Sequence, residues 1–173
     1  DMARILEAEH AAGPFDCVGS DHAAGSYDIT RWLIGQGRRR LLRVWIRPDY
    51  PRWQRCRDRG HERAMADAGL QPVRPLHVRH VGANSDGVQA PMFGSVIEAD
   101  DFDALRRQLV GYLMDFFRGE QAVDAILANS DPEAQLIAAS CRLIGVEPGR
   151  DVLIAGYDNS WAGTQFFQYE PFA

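Results

Sequence analysis

Short apolar runs alternate with amphipathic ones along this chain, and the runs near its end are the plainest. Val123 to Ala128 is apolar apart from Asp124 and runs straight into Asn129, Ser130 and Asp131; Val152 to Tyr157 runs into Asp158 and Asn159. Between them, Pro132 to Ile144 reads as a helix, with Asp131 as its cap, Pro132 at the first helical position, Glu133 beside the positive end of the helix dipole and Gly145 at the stop. Short apolar strands joined by a helix belong to a parallel sheet covered on both faces, and ligands of such sheets gather at the carboxyl ends of the strands. The polar tips are therefore the first candidates for function.

Upstream the same alternation continues. Residues 2 to 12 can form a short helix stopped by Gly13-Pro14, followed by an apolar strand from Phe15 to Gly19. A second helix has Ser20 or Asp21 as its cap, Tyr27, Trp32, Leu33 and Ile34 on its apolar side, and Gly37 at its end. Leu41 to Ile46 predicts a strand, less apolar than a central one because of Arg43. Pro48 and Pro51 mark a loop before a polar-rich helix from Trp53 to Ala68, closed by Gly69. Leu76 to Val81 alternates apolar and charged residues, as a strand with one exposed face does. From Gly82 to Gly94 no period is visible; this long loop reads equally as a lid over a binding mouth or as a surface excursion. Asp100 to Gly119 is amphipathic, with Phe102, Leu105, Leu109, Tyr112, Leu113 and Phe116 forming a stripe suited to covering a sheet. The pattern predicts a three-layer α/β/α fold with a doubly wound, mostly parallel sheet in a single domain.

Composition adds exclusions. At 173 residues, 46% hydrophobic and 25% charged, the chain has ordinary globular makeup. A net charge of -5 argues against nucleic acid as a direct partner of this segment, since phosphate binding needs a clustered basic surface. The run Arg38-Arg39-Arg40 is the local exception, and its place between a helix stop and a strand start favours helix-end or solvated charge over a phosphate contact. The 3 cysteines, Cys17, Cys56 and Cys141, are far apart and without metal spacing; Cys17 and Cys141 read as small buried hydrophobes. No apolar run approaches the about 18 residues of a membrane span, and no signal peptide is visible. There is no nucleophile elbow, no glycine-rich phosphate loop and no metal-spaced histidine pair; His77 and His80 would point to opposite faces of a strand. The expectation is a protein that is not an enzyme and that holds no metal or cofactor.

Several motifs resemble one family in order and spacing. Ala128 to Pro132, Ile144 to Asp151 and Gly156 to Asn159 (G-Y-D-N) are similar to the sensor half of the lactose-repressor (LacI/GalR) regulators, whose periplasmic-binding-protein-like (type 1) fold is shared with exported sugar-binding proteins. Phe15 to Gly25, Leu33 to Leu42 and Arg57 to Gly69 resemble further motifs of that family, and the resemblance spans most of the chain except roughly residues 74 to 100. His22, Arg38 and His61 depart from the family's usual residues.

The resemblance implies that the chain is largely the C-terminal lobe of a two-lobe sensor, with residues 1 to 20 as the last element of the other lobe and 160 to 173 as a tail crossing back to it. It implies a small-molecule effector, a carbohydrate or nucleoside, and operator DNA read only through an N-terminal helix-turn-helix outside this chain. It also implies a cytoplasmic homodimer with no membrane contact. A solute-binding protein of a sugar importer and an unrecognised α/β enzyme are the alternatives. Asp21, Arg57 and Asp158 are expected to converge at the strand ends, where two carboxylates and a guanidinium suit a polyhydroxylated ligand; a structural ion-pair network is the competing reading. Asn129 and Asp131 are further candidate contacts, although Asp131 also suits a helix cap. Trp53 and Trp161 are candidate stacking platforms or buried packing residues, and Met92 and Phe93 lie in the long loop.

Overall fold

The computed structural model describes residues 19–46, 51–78, 99–157 and 159. Helix α1 (His22–Gly35) is followed by strand β1 (Leu41–Trp45), helix α2 (Arg52–Asp67), strand β2 (Leu76–His77), helix α3 (Ala99–Leu113), strand β3 (Ala125–Ala128), helix α4 (Asp131–Leu143) and strand β4 (Leu153–Ala155). Two 3₁₀ turns, Met114–Phe117 and Gly119–Gln121, join α3 to β3. The expected helix at residues 2 to 12, the strand at 15 to 19, the 82–94 loop and the tail lie outside the described residues.

The strands form one 4-stranded sheet in the order β2-β1-β3-β4. Every pairing is parallel, with Leu41 opposite Ala125, Ala125 opposite Leu153 and Val44 opposite Leu76. Side chains alternate across the pleat. Leu42, Val44, Ile126 and Ala128 join Phe102, Leu105 and Leu109 of α3 and Leu136, Ile137 and Cys141 of α4 on one face. Leu41, Ala125 and Leu127 meet Leu33 of α1 and Met65 of α2 on the other. The result is the three-layer doubly wound architecture. Full burial of each large aliphatic side chain, as at Leu109 and Ile137, stabilises by about 1.5–3 kcal/mol relative to exposure.

The face carrying α1 and α2 is less uniformly apolar. Arg43, 2% exposed in the middle of β1, donates to the Asp58 carboxylate at 2.6 Å and reaches Glu62 at 3.2 Å, while Trp45 Nε1 donates to the same Asp58 oxygen at 3.2 Å. β1 is thus an inner strand, contrary to the expectation drawn from Arg43, because α2 supplies the acceptors that let a guanidinium be buried. The polar residues of α2 that suggested an exposed face point inward: Gln54, Arg57, Asp58 and His61 are all buried. His61 Nδ1 lies 3.1 Å from Thr30 Oγ1, whose own proton is given to the Ser26 carbonyl at 2.7 Å, so the ring nitrogen is the donor. Burial, reinforced by the charge of Arg43, pulls the His61 pKa down to about 3.

α1 and α2 cross at Gly60, where a Cβ would collide with the Ala23 carbonyl oxygen and lie 3.0 Å from the Tyr27 nitrogen. Trp32, expected on the apolar side of α1, instead faces outward and is 56% exposed. α4 starts one residue earlier than its sequence suggests: Ser130 holds the cap position without a side-chain cap bond, and Asp131 is already helical. At the amino ends of the strands, the Asp124 carboxylate accepts from the backbone nitrogens of Arg39 and Arg40 at 2.8 and 2.9 Å. The Arg39 guanidinium closes α1 by donating to the Ile34 carbonyl at 3.0 Å. The arginine run is therefore helix-end and loop structure.

Candidate functional site at the strand ends

β1 and β3 are neighbours, yet the chain leaves β1 for the face carrying α2 and leaves β3 for the face carrying α4. Such a reversal opens a crevice outside the carboxyl ends of the two strands. The first residues beyond β3 and the first turns of α2 meet across it.

Arg57 is the centre of that meeting. It is 5% exposed, and its Nη1 donates to the Asn129 backbone carbonyl at 2.7 Å and to the Asn129 side-chain oxygen at 3.1 Å. Its guanidinium carbon lies 3.6 Å from the centre of the Tyr157 ring and 4.7 Å from that of Trp53. A desolvated guanidinium over aromatic rings is held by the ring quadrupole as well as by its hydrogen bonds. Asn129 in turn donates from Nδ2 to Glu133 Oε1 at 3.1 Å, so its amide orientation is fixed from both ends. The His22 and Trp53 rings lie 6.1 Å apart, which brings the start of α1 to the same rim.

Of the residues singled out in the sequence, Trp53, Arg57 and Asn129 come together here. Asp131 is adjacent: its backbone nitrogen donates to the Tyr157 carbonyl at 3.2 Å, and its Oδ1 lies 2.5 Å from where a Cβ on Gly156 would stand. Asp21 caps α1, accepting from the Ala23 and Ala24 nitrogens at 3.1 and 2.9 Å, and is exposed. Asp158 and Trp161 lie outside the described residues. Sequence reasoning missed Tyr157 and Glu133. Tyr157 is the middle of G-Y-D-N, where attention went to the carboxylate beside it, and Glu133 was taken as a helix-dipole residue although it is 3% exposed.

A concavity of about 440 Å³ lies on the outward flank of α2, between Arg52, Arg55, Asp58, Arg59 and Glu62. Its described lining residues all belong to α2. Among the described residues, no group of His, Cys, Asp or Glu side chains is placed to hold a metal ion, and no helix is long and apolar enough to cross a membrane.

No protein-family model and no curated protein sequence matches this chain. Solved structures do. A regulatory protein of the LacI family from Chloroflexus aggregans superposes with a TM-score of 0.60 at 26% identity, over 85% of this chain and 46% of its own. A LacI family transcriptional regulator from Silicibacter pomeroyi gives 0.58 at 25% identity, over 87% of this chain and 48% of its own. A sugar-binding transcriptional regulator of the LacI family from Escherichia coli, complexed with phosphate, gives 0.54 at 20% identity, over 82% and 43%, a likeness of fold alone. The chain thus resembles LacI-family regulators and spans about half the length of these structures.

Proposed function

We propose that this chain is the effector-sensing part of a LacI-type transcriptional regulator and that its ligand binds in the crevice beside Arg57. The observation that carries the reading is the convergence of Arg57, Asn129, Tyr157 and Trp53 at the switch point of a sheet whose structural relatives include LacI-family regulators. A rigid donor fork held between aromatic rings and an oriented amide suits a small polyhydroxylated molecule, a carbohydrate or the sugar of a nucleoside. Asp158, next in sequence to Tyr157, and Asp21, at the head of α1, are assigned as acidic contacts, with Asp131 and Trp161 as flanking ones.

The mechanism follows from differential binding. A second lobe closing over the crevice binds ligand better in one of two arrangements, and the ligand shifts the balance between them. In a cytoplasmic homodimer this changes the spacing of DNA-reading segments that lie outside this chain. The test is selection of bound fragments from a random DNA pool by the intact gene product. An enriched inverted repeat, bound with a different affinity when ligand is added, is the expected result. Failure of the intact product to select any DNA would overturn the regulator reading in favour of a solute-binding protein. Asp158→Ala is expected to abolish the ligand response while leaving the far-ultraviolet circular dichroism unchanged.

A further inference from the structure

Two buried polar side chains near the crevice are unexplained by the fold. Gln54 is 0% exposed, and among the described residues neither its Oε1 nor its Nε2 has a hydrogen-bond partner. Ser130 is 3% exposed, and its Oγ is likewise unpartnered, although it stands at the cap of α4 where a serine normally accepts from the helix's first turn. Buried polar groups are nearly always paired, because each has given up its bonds to water. Leucine or alanine at these positions would carry no such cost.

Their placement is informative. α2 runs back along the sheet from the carboxyl end of β1, and Asp58 meets Trp45, the last residue of that strand. Gln54 is one turn nearer the helix start, which sets it beyond the strand end. Ser130 follows β3 by two residues, directly after the Asn129 that Arg57 holds. Both groups therefore belong to the strand-end region, Gln54 three residues before Arg57 on α2 and Ser130 next to Asn129.

We propose that Gln54 and Ser130 are specificity-determining contacts for an uncharged sugar with adjacent hydroxyls; the inference rests on the crevice being the ligand site. A carboxamide offers a donor and an acceptor side by side, and a serine hydroxyl offers both on one atom. Neighbouring hydroxyls of a sugar present the same alternation in reverse. Neither protein group carries charge, so the pair selects by hydroxyl position.

The test is calorimetric titration of the intact gene product with D-ribose, D-glucose and D-galactose, each beside its monodeoxy analogues. The wild-type protein is expected to bind one parent sugar at least about tenfold more tightly than one of its deoxy forms. Gln54→Leu and Ser130→Ala are each expected to weaken that sugar about tenfold and to shrink the parent-to-deoxy ratio toward one. Ligand-free variants should melt no lower than wild type. Gln54→Met, close in shape, gives the same reading where Gln54→Leu does not fold. Unchanged affinity and unchanged selectivity in both variants would overturn the proposal. Arg57→Lys separates the two levels: lost binding in Arg57→Lys beside wild-type binding in Gln54→Leu and Ser130→Ala overturns this inference alone, whereas a protein that binds none of these sugars overturns it together with the crevice as a sugar site.

Discussion

The guanidinium of Arg57 reaches from α2 to the Asn129 backbone carbonyl, 2.7 Å away, and so ties the two sides of the sheet's switch point together. The bond joins residues 72 positions apart. Under the proposed function, ligand binding and folding stability are linked at this one side chain. Arg57→Lys keeps the charge but loses the planar fork and its stacking on Tyr157. It is expected to lower the unfolding free energy by about 1.5–3 kcal/mol in urea titrations, the value of hydrogen bonds to a charged group. A variant as stable as wild type would show that the bond is incidental.

Gly60 sets the approach of α1 to α2. With the Ala23 carbonyl directly in the path of any Cβ, Gly60→Ala has to push the helices apart, and overpacking of this kind costs about 1–3 kcal/mol. Because the start of α1 also carries His22 and the Asp21 cap, the crevice rim moves with it. Thermal unfolding followed by circular dichroism should show a clear drop in midpoint, and an unaltered midpoint would contradict the close crossing.

Asp58 holds Arg43 and Trp45 at once. Asp58→Ala leaves a buried guanidinium with Glu62, 52% exposed, as its remaining ion-pair partner. Removing one member of a buried ion pair costs about 3–5 kcal/mol. Replacing Arg43 and Asp58 together with Met and Leu is expected to recover part of that loss, the rest remaining with the unpaired Trp45 Nε1, measured as a double-mutant cycle in urea. A double variant no better than Asp58→Ala would rule out the charge imbalance as the cause.

His61 makes stability depend on pH with a definite sign. Its folded pKa of about 3 lies below the ordinary 6.5, so the unfolded chain takes up a proton that the folded protein refuses. The contribution is complete above about 6.5 and is lost as the pH falls toward about 3, at about 1.4 kcal/mol for each pH unit. His61→Gln keeps a donor for Thr30 and should show a shallower fall in unfolding free energy between roughly pH 6 and pH 4. Equal slopes in the two proteins would mean that His61 titrates normally.

The sequence conveyed some of these relationships and hid others, for physical reasons. β3 and β4 were legible because strands covered on both faces are apolar at successive positions, and the end of α1 was legible because Gly37 has a φ of +85° that other residues resist. The inward face of α2 was hidden. Hydrophobic periodicity cannot distinguish a solvated arginine from Arg57, or a loop charge from Asp58, since their burial depends on partners far away in the chain. Asn129 was legible from its place at a strand tip. Tyr157 was not, because its partner Arg57 comes from a different helix.

Gly156 carries a consequence for how this surface can diversify. The close passage of β4's exit over Asp131 exists because nothing projects from that α-carbon. A methyl there would displace the Asp131 carboxylate and stand 3.1 Å from the Asp131 α-carbon, crowding the passage from which Tyr157 projects. The aromatic lining is thus secured by an empty position. A saturation scan should find residue 156 restricted to small side chains and position 159, where Asn159 has a φ of +45°, restricted to asparagine, aspartate and glycine, which keeps the hinge of the ring unchanged.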